Sequence, residues 1–346
     1  MVEISVIIPT YNIKKHIQKC LDSVINQSFK DLEIICIDDK STDNTLNILN
    51  EYALKDPRIT VYPKDENKGI GDSRNISLTL AKGKYIFFLD SDDYIVPDAL
   101  EKAYNISEEK SLDILMFKMI HFYEDSEDYF KIRYTEMRYL KKIVQDKVFN
   151  YKDVEEYLFY LCVNLQCKLF RRDLICDIRF PNEKIFEDTP FFIEAMLNAK
   201  RVYFLQEHLT YKCERRRSLS HTHDYKNADI IYMADHVSDV LKRNDIFDEL
   251  KTSYLQFRIK HITYYYRYTK FRYKSKFYVR MRRDFIDNKQ EYDKAYDDLY
   301  KIYQIIYDSC IKTENDKIFM LRSFCQFLMH FPRLIIDFIR EYLKWS

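Results

Sequence analysis

Glycine is nearly absent from this 346-residue chain: there are three, where an average composition would give roughly 24. That scarcity leaves no G-x-G-x-x-G dinucleotide loop and no P-loop, both of which need bare backbone against phosphate. All three glycines (Gly69, Gly71 and Gly83) fall within fifteen residues, marking a stretch where backbone approaches something closely. Apolar runs of about 18 residues are also missing, so no helix is expected to span a bilayer. Met1 to Ser5 carry neither a basic n-region nor an apolar h-region, so no signal peptide is expected. A large net charge is lacking too: 56 Lys and Arg stand against 55 Asp and Glu. Nucleic-acid binding driven by bulk charge is therefore not expected. The eight cysteines form no C-x-x-C pair and several sit in apolar runs, the pattern of reduced, mostly buried thiols in a cytoplasmic protein.

Hydrophobic residues make up 47% of the chain, enough for a sizeable core. The length suits one large domain with a smaller appendage. Charge is divided along it: residues 1–100 hold 12 basic and 16 acidic residues, and residues 251–346 hold 20 and 11. Apolar runs at 4–8, 32–37, 59–62 and 85–89, with a further one inside 113–122, predict strands. Helical spacing fills 13–27, about 44–54, 70–81 and the stretch after Pro97. This alternation predicts an α/β fold with a largely parallel sheet covered on both faces. Residues 123–150 read as an insertion, 153–162 as a helix, 202–205 as an edge strand, and the chain from about 227 onward as helical.

In open α/β sheets, ligands bind outside the carboxyl ends of the strands. Those ends here carry Pro9-Thr10-Tyr11-Asn12, Asp38-Asp39 and Asp90-Ser91-Asp92-Asp93. Three carboxylates in four residues repel one another unless a cation sits among them, and hard oxygen donors suit Mg²⁺ or Mn²⁺. The same residues also serve as turn and cap chemistry before Pro97. Asp38 and Asp39 can accept from a ribose hydroxyl or a base N–H, although Asp43 in the same turn is an ordinary helix cap. Asn67 to Asn75 opens a helix whose amides can face an anion, with Lys68 and Arg74 to neutralise phosphate. Glu187-Asp188 stands at a helix start, where acids also simply complement the dipole.

In combination, ISVIIPTYN at 4–12, the acidic turn at 38–43, Asn67-Lys68-Gly69 with Ser73-Arg74-Asn75, and Asp90-Ser91-Asp92-Asp93 resemble the N-terminal half of family 2 glycosyltransferases. Those are inverting enzymes of the GT-A fold. A looser likeness continues through Lys168-Leu169-Phe170-Arg171, Phe186-Glu187-Asp188-Thr189 and Tyr211 to Ser220. The resemblance implies a GT-A catalytic domain over 1–225, with a nucleotide-sugar half at about 1–110 and an acceptor half at about 111–225. A helical, basic and tyrosine-rich region follows at 226–346. It implies that Pro9, Tyr11, Asp38, Asp39, Lys68, Arg74, Asp90 and Ser91 face the nucleotide sugar. Asp92, with Asp90 and either His221 or His223, would hold Mn²⁺ or Mg²⁺, and Asp188 would be the catalytic base supported by Glu187. The implied donor is UDP-linked, and the implied acceptor is a surface glycan or lipid-linked saccharide. Asp72-Ser73 departs from the small residues usual before the Arg-Asn pair. A catalytically inactive scaffold subunit of the same fold is the alternative. A nucleotidyltransferase is disfavoured, because no glycine follows the first strand.

Between Lys251 and Arg283 lie 11 Lys or Arg and no Asp or Glu, interleaved with aromatics. Residues 318–345 add an apolar pattern with intervening Arg and Lys. These ingredients suit an anionic membrane surface on the cytoplasmic side, giving a peripheral location; the alternative is a helical appendage packed on the catalytic domain.

Overall fold

The computed structural model describes residues 2–123, 133–135, 137–181, 185–214 and 225–313. The chain divides into two compact units, residues 1–221 and 222–346. Arg215 to Arg217, His221, His223 and the 318–345 pattern lie outside the described residues.

In the first unit, apolar runs that are buried on both faces form parallel strands, which is why they read as continuous rather than alternating. Strands β1 (Ile4–Thr10), β2 (Leu32–Asp38), β3 (Ile59–Pro63) and β4 (Tyr85–Phe88) pair in parallel in the order β3-β2-β1-β4. Helices α1 (Ile17–Ile25), α2 (Thr45–Lys55) and α3 (Ile70–Leu80) make the crossovers that parallel pairing requires. Thr10 lies opposite Asp38, and Asp38 opposite Pro63, so the carboxyl ends share one sheet edge. Ile4, Val6, Ile8, Leu21, Val24, Ile34 and Phe87 belong to the core that fixes this register.

Beyond β4 the sheet is mixed rather than largely parallel. Strand β8 (Lys168–Arg171) lies antiparallel between β4 and β6 (Ile114–Tyr123). Strand β9 (Val202–Glu214) runs parallel to β6, while β5 (Tyr94–Ile95) and β7 (Arg133–Thr135) pair antiparallel with β9 and β6. The segment read as an edge strand at 202–205 is the start of a strand of 13 residues, which β5 flanks only further on, at Thr210 and Tyr211. Its register against β6 shifts around Lys118, and Gln206-Glu207-His208 occupy the irregular stretch. A bulge of that kind interrupts the apolar alternation and hides the strand's continuation. Residues 153–162 fall mostly in 3₁₀ turns at Tyr151–Tyr160, capped by Asn150 and broken at Val154, instead of an α-helix. Helices α4 (Ala99–Glu109), α5 (Arg138–Val144), α6 (Arg172–Ile175) and α7 (Asp188–Asn198) complete the unit.

The second unit is helical: α8 (Ile230–Arg243), α9 (Phe247–Tyr268), α10 (Phe271–Asp287), α11 (Lys289–Lys294) and α12 (Lys301–Ile311). Arg258 is buried in it, bonded to Asp284, to Asp235 at 2.6 Å and to the Tyr254 hydroxyl at 2.6 Å. Among the described residues no helix is long and apolar enough to cross a membrane.

Candidate active site

The loops after β1 and β2 interlock. Asn12 adopts a left-handed φ of 49°, and its side-chain oxygen accepts from the amides of Thr42 (2.7 Å) and Asp43 (3.3 Å). In return the Asn12 amide donates to Ser41 Oγ at 2.9 Å. Asp38 is buried and caps its own turn by accepting from Ser41 N at 2.9 Å. Pro9 is buried within β1, whereas Tyr11 at the loop tip is 49% exposed.

Asp39 organises the glycine loop. Its Oδ1 accepts from Lys64 Nζ (2.6 Å) and Lys68 N (2.9 Å), and its Oδ2 accepts from Gly69 N (2.8 Å). Each carboxylate oxygen offers about two acceptor directions, so Oδ2 keeps one for a further donor. Gly69 has φ 94°, a conformation that favours glycine. Gly71 answers to a different demand: a Cβ there would stand 2.7 Å from the Pro181 carbonyl oxygen. Lys68 sends its ammonium to Glu66 at 2.7 Å on the surface. The buried cation of this loop is Lys64, which joins Asp39 to Asp72 at 2.6 Å. Composition gave no sign of it; its place directly after β3, at the shared sheet edge, is the signal that was there.

Helix α3 carries the central cation. Arg74 is buried, with Nη1 donating to Glu187 Oε1 at 2.6 Å and Nη2 to Asp90 Oδ1 at 2.9 Å. Its guanidinium stands 5.4 Å from the Phe180 ring centroid, and among the described residues its Nε has no hydrogen-bond partner. The neighbouring Asn75 clamps the Phe180 backbone, donating to its carbonyl and accepting from its amide, both at 2.9 Å. Phe180 in turn stacks on Phe191 of α7 at 3.9 Å between centroids. Phe186 precedes the acidic pair with φ 68°, a costly conformation for a bulky residue that concentrates at functional sites.

Burial pushes the Glu187 carboxyl up to about 7, with Arg74 opposing and Asp188 adding. Burial also raises Asp188, against the pull of Arg74 and Lys212. Asp188 Oδ1 receives a long bond of 3.5 Å from Thr189 Oγ1. A buried lysine, Lys168, and a partly buried one, Lys212, attend this side. Lys168 Nζ bonds the Asn164 carbonyl at 2.5 Å, and Lys212 Nζ reaches Asn164 Oδ1 at 3.4 Å.

The acidic run splits. Asp90, Ser91 and Asp92 are partly exposed, whereas Asp93 turns inward. Asp93 accepts from Gln166 Nε2 at 3.0 Å and from Cys213 N at 2.8 Å, which pins the turn to β9. Burial raises its carboxyl well above the ordinary range, and Asp92 and Asp90 add to the rise. Among the described residues no group of three or more His, Cys, Asp or Glu is disposed as a metal shell. Asp90 and Asp92 nonetheless fit Mg²⁺ or Mn²⁺, which takes one or two protein carboxylates and fills its shell with phosphate oxygens and water. The charge crowding felt by Asp93 is what a cation relieves.

The structure thus brings Arg74, Asp90 and Glu187 into one bonded cluster, with Asp188 following Glu187 in the chain. Asp38 and Asp39 stand at the same sheet edge, and the Lys68 ammonium is turned away to Glu66.

Comparison with known proteins gives the family and the fold. The family model described as "Glycosyl transferase family 2" matches residues 5–175. The poly(ribitol-phosphate) beta-glucosyltransferase of Bacillus spizizenii is 38% identical over 206 residues, 58% of this chain but 30% of that protein. The chain thus spans about a third of that relative. An uncharacterized glycosyltransferase of Haemophilus influenzae is 34% identical over 201 residues, covering 57% of this chain and 73% of that protein. Residues 1–349 of S. aureus TarS, crystallised in complex with UDP, match with a TM-score of 0.72 over 94% of this chain and 91% of that one. At 22% identity that likeness is one of fold.

Proposed function

This chain belongs to glycosyl transferase family 2, and from that premise we propose that it moves a sugar from a UDP-linked donor to a surface-glycan or lipid-linked saccharide acceptor, inverting the anomeric carbon. The observation that carries the reading is the buried Arg74 bridging Asp90 and Glu187, with Asp188 next to it and weakly bonded. The nucleobase sits against Tyr11 and the Pro9 backbone, with the free acceptor direction of Asp39 Oδ2 toward a base N–H. Asp38 steadies that turn, Ser91 lies beside the diphosphate, and Lys68 is a surface cation at its edge. When bound, a divalent ion at Asp92 and Asp90 supplies Lewis-acid stabilisation of the leaving diphosphate. Arg74 adds fixed positive charge there. Asp188 takes the proton of the acceptor hydroxyl as that oxygen attacks C1. Its raised carboxyl is a better base than an ordinary aspartate, and Glu187 holds Arg74 in place.

UDP is favoured because the TarS crystals hold UDP and UDP-GlcNAc in a chain of the same fold. A polymer acceptor is favoured by the Bacillus relative, a poly(ribitol-phosphate) beta-glucosyltransferase. An anionic lipid surface fits the outer face of α10, where Phe271 (78% exposed), Val279 (65%) and Ile286 (41%) lie beside exposed Arg272, Lys276 and Arg283. Vesicles rich in phosphatidylglycerol should retain the chain, and Phe271→Glu with Val279→Glu should release it; equal retention removes this face from the reading.

The deciding experiment is thermal shift against UDP, GDP, dTDP and CDP, each with Mn²⁺, Mg²⁺ or chelator. A metal-dependent rise with UDP, followed by UDP release from a UDP-sugar when acceptor is added, supports the proposal. No shift with any nucleotide overturns it in favour of a scaffold.

A further inference from the structure

The turn between the 3₁₀ segment ending at Tyr160 and strand β8 holds two thiols that sugar transfer does not use. Cys162 Sγ and Cys167 Sγ are 3.9 Å apart. Cys162 is half-buried, and Cys167 is buried with its thiol directed to the Asn164 carbonyl at 3.1 Å. Lys168 Nζ stands 3.5 Å from Cys167 Sγ, and Lys212 Nζ reaches the Asn164 side chain in the same turn. Two ammonium groups beside a pair of sulfurs are the setting in which a thiolate forms and reacts. Elsewhere burial pushes the thiols of Cys20 and Cys36 up, which makes them inert. Here the pairing with the Cys167 sulfur and the charge of Lys168 hold the Cys162 thiol well below its ordinary value.

The turn is tied to the acidic run, to strand β9 and to Asp188. Gln166 donates to Asp93 at 3.0 Å, the Gln166 carbonyl accepts from Thr210 at 2.7 Å, and Lys168 opposes the rise of the Asp188 carboxyl.

We propose that Cys162 and Cys167 are a reversible dithiol–disulfide pair, oxidised by a peroxide, whose closure turns down sugar transfer at the adjoining site. The Cys162 thiolate attacks one peroxide oxygen, the O–O bond breaks and the other oxygen leaves as water, giving a sulfenic acid. Cys167 then attacks that sulfur, an S–S bond forms and the hydroxyl leaves as a second water. In balance, two thiols and one hydrogen peroxide give one disulfide and two waters, with two electrons passing from sulfur to oxygen. Closure draws the sulfurs from 3.9 Å to bonding distance, about 2.05 Å, and removes the negative charge that faces Lys168. The turn then shifts Gln166 against Asp93, and a misplacement near 1 Å costs up to about a hundredfold in rate.

The regulatory half rests on the transferase reading; the chemical half does not. The full chain is reduced, treated with hydrogen peroxide, blocked with an alkylating agent and digested. The expected result is a cross-linked 162–167 peptide lighter by two hydrogens. Transfer should fall about ten- to a hundredfold and be restored by dithiothreitol. Cys162→Ser and, as a second variant, Cys167→Ala should abolish the peroxide response, and Cys176→Ser should keep it. Alkylation of both cysteines after peroxide overturns the pair, and a cross-link formed with transfer unchanged overturns the switch. Failure of the transferase reading shows separately, as no transfer by the fully reduced chain, and the peptide map then still decides the pair.

Discussion

Among the described residues two arginines are buried, and each is shared between two carboxylates. Arg258 takes Asp235 and Asp284; Arg74 takes Glu187 and Asp90. Exposure of a partner does not separate them, since Asp235 is the more open at 49% against 28% for Asp90. Saturation does. Arg258 engages Nε and both terminal nitrogens, one of them on the Tyr254 hydroxyl. Among the described residues Arg74 leaves Nε without a partner, and its acids adjoin a further carboxylate, Asp188, that has one long side-chain bond. A filled network fixes helices, whereas a part-filled one at the carboxyl ends of parallel strands can exchange partners with a substrate.

The strongest way to sharpen this contrast is Asp188→Asn. The amide keeps the shape and loses the base, so transfer is expected to fall about 10²–10⁴-fold. UDP binding by thermal shift should stay within about threefold, since the base contacts the acceptor and not the nucleotide. Equal loss of both would place the base elsewhere.

Arg258→Met tests the other arginine. It leaves Asp284, 5% exposed, without its counter-charge, and the expected cost is about 3–5 kcal/mol in chemical denaturation. A cost below about 1 kcal/mol would show that the saturated cluster does not hold the helical unit.

Arg74→Met reads out through pH. Burial raises the Asp188 carboxyl and Arg74 pulls it down. A base works deprotonated, so activity falls as pH drops through that raised value. Removing Arg74 takes away the opposing charge, so the acid limb of kcat/KM for the residual activity is expected to move to higher pH. An unmoved or lowered limb would mean that Asp188 is not the titrating group.

The two halves of the first unit also differ in how much their sequence reveals. Residues 4–95 read well because strands buried on both faces give unbroken apolar runs that end in polar residues. The four-residue acidic run was visible as a whole. Which member turns inward was not, since only the packing of Gln166 and Cys213 selects Asp93. Lys64 and Lys168 were missed because a lysine counts as surface until its partners are known. Strand β9 was cut short because Gln206-Glu207-His208 break the alternation at the bulge. The bond from Arg74 to Glu187 spans 113 residues, which no local pattern encodes; family resemblance pointed to both residues but implied no bond between them.

The smallest expected effect separates two lysines of the glycine loop. Lys68 is exposed and pairs with Glu66, so Lys68→Ala should raise the donor KM by less than about threefold, and less still at high salt. Lys64 is 5% exposed and joins Asp39 to Asp72 beneath the Lys68 and Gly69 amides. Removing it leaves two carboxylates facing each other under that loop, so Lys64→Met should raise the same KM by about tenfold or more. Equal KM values for the two variants would mean that the Asp39 bridge does not shape the donor loop. A larger loss at Lys68 would mean that its ammonium leaves Glu66 for the diphosphate when donor binds.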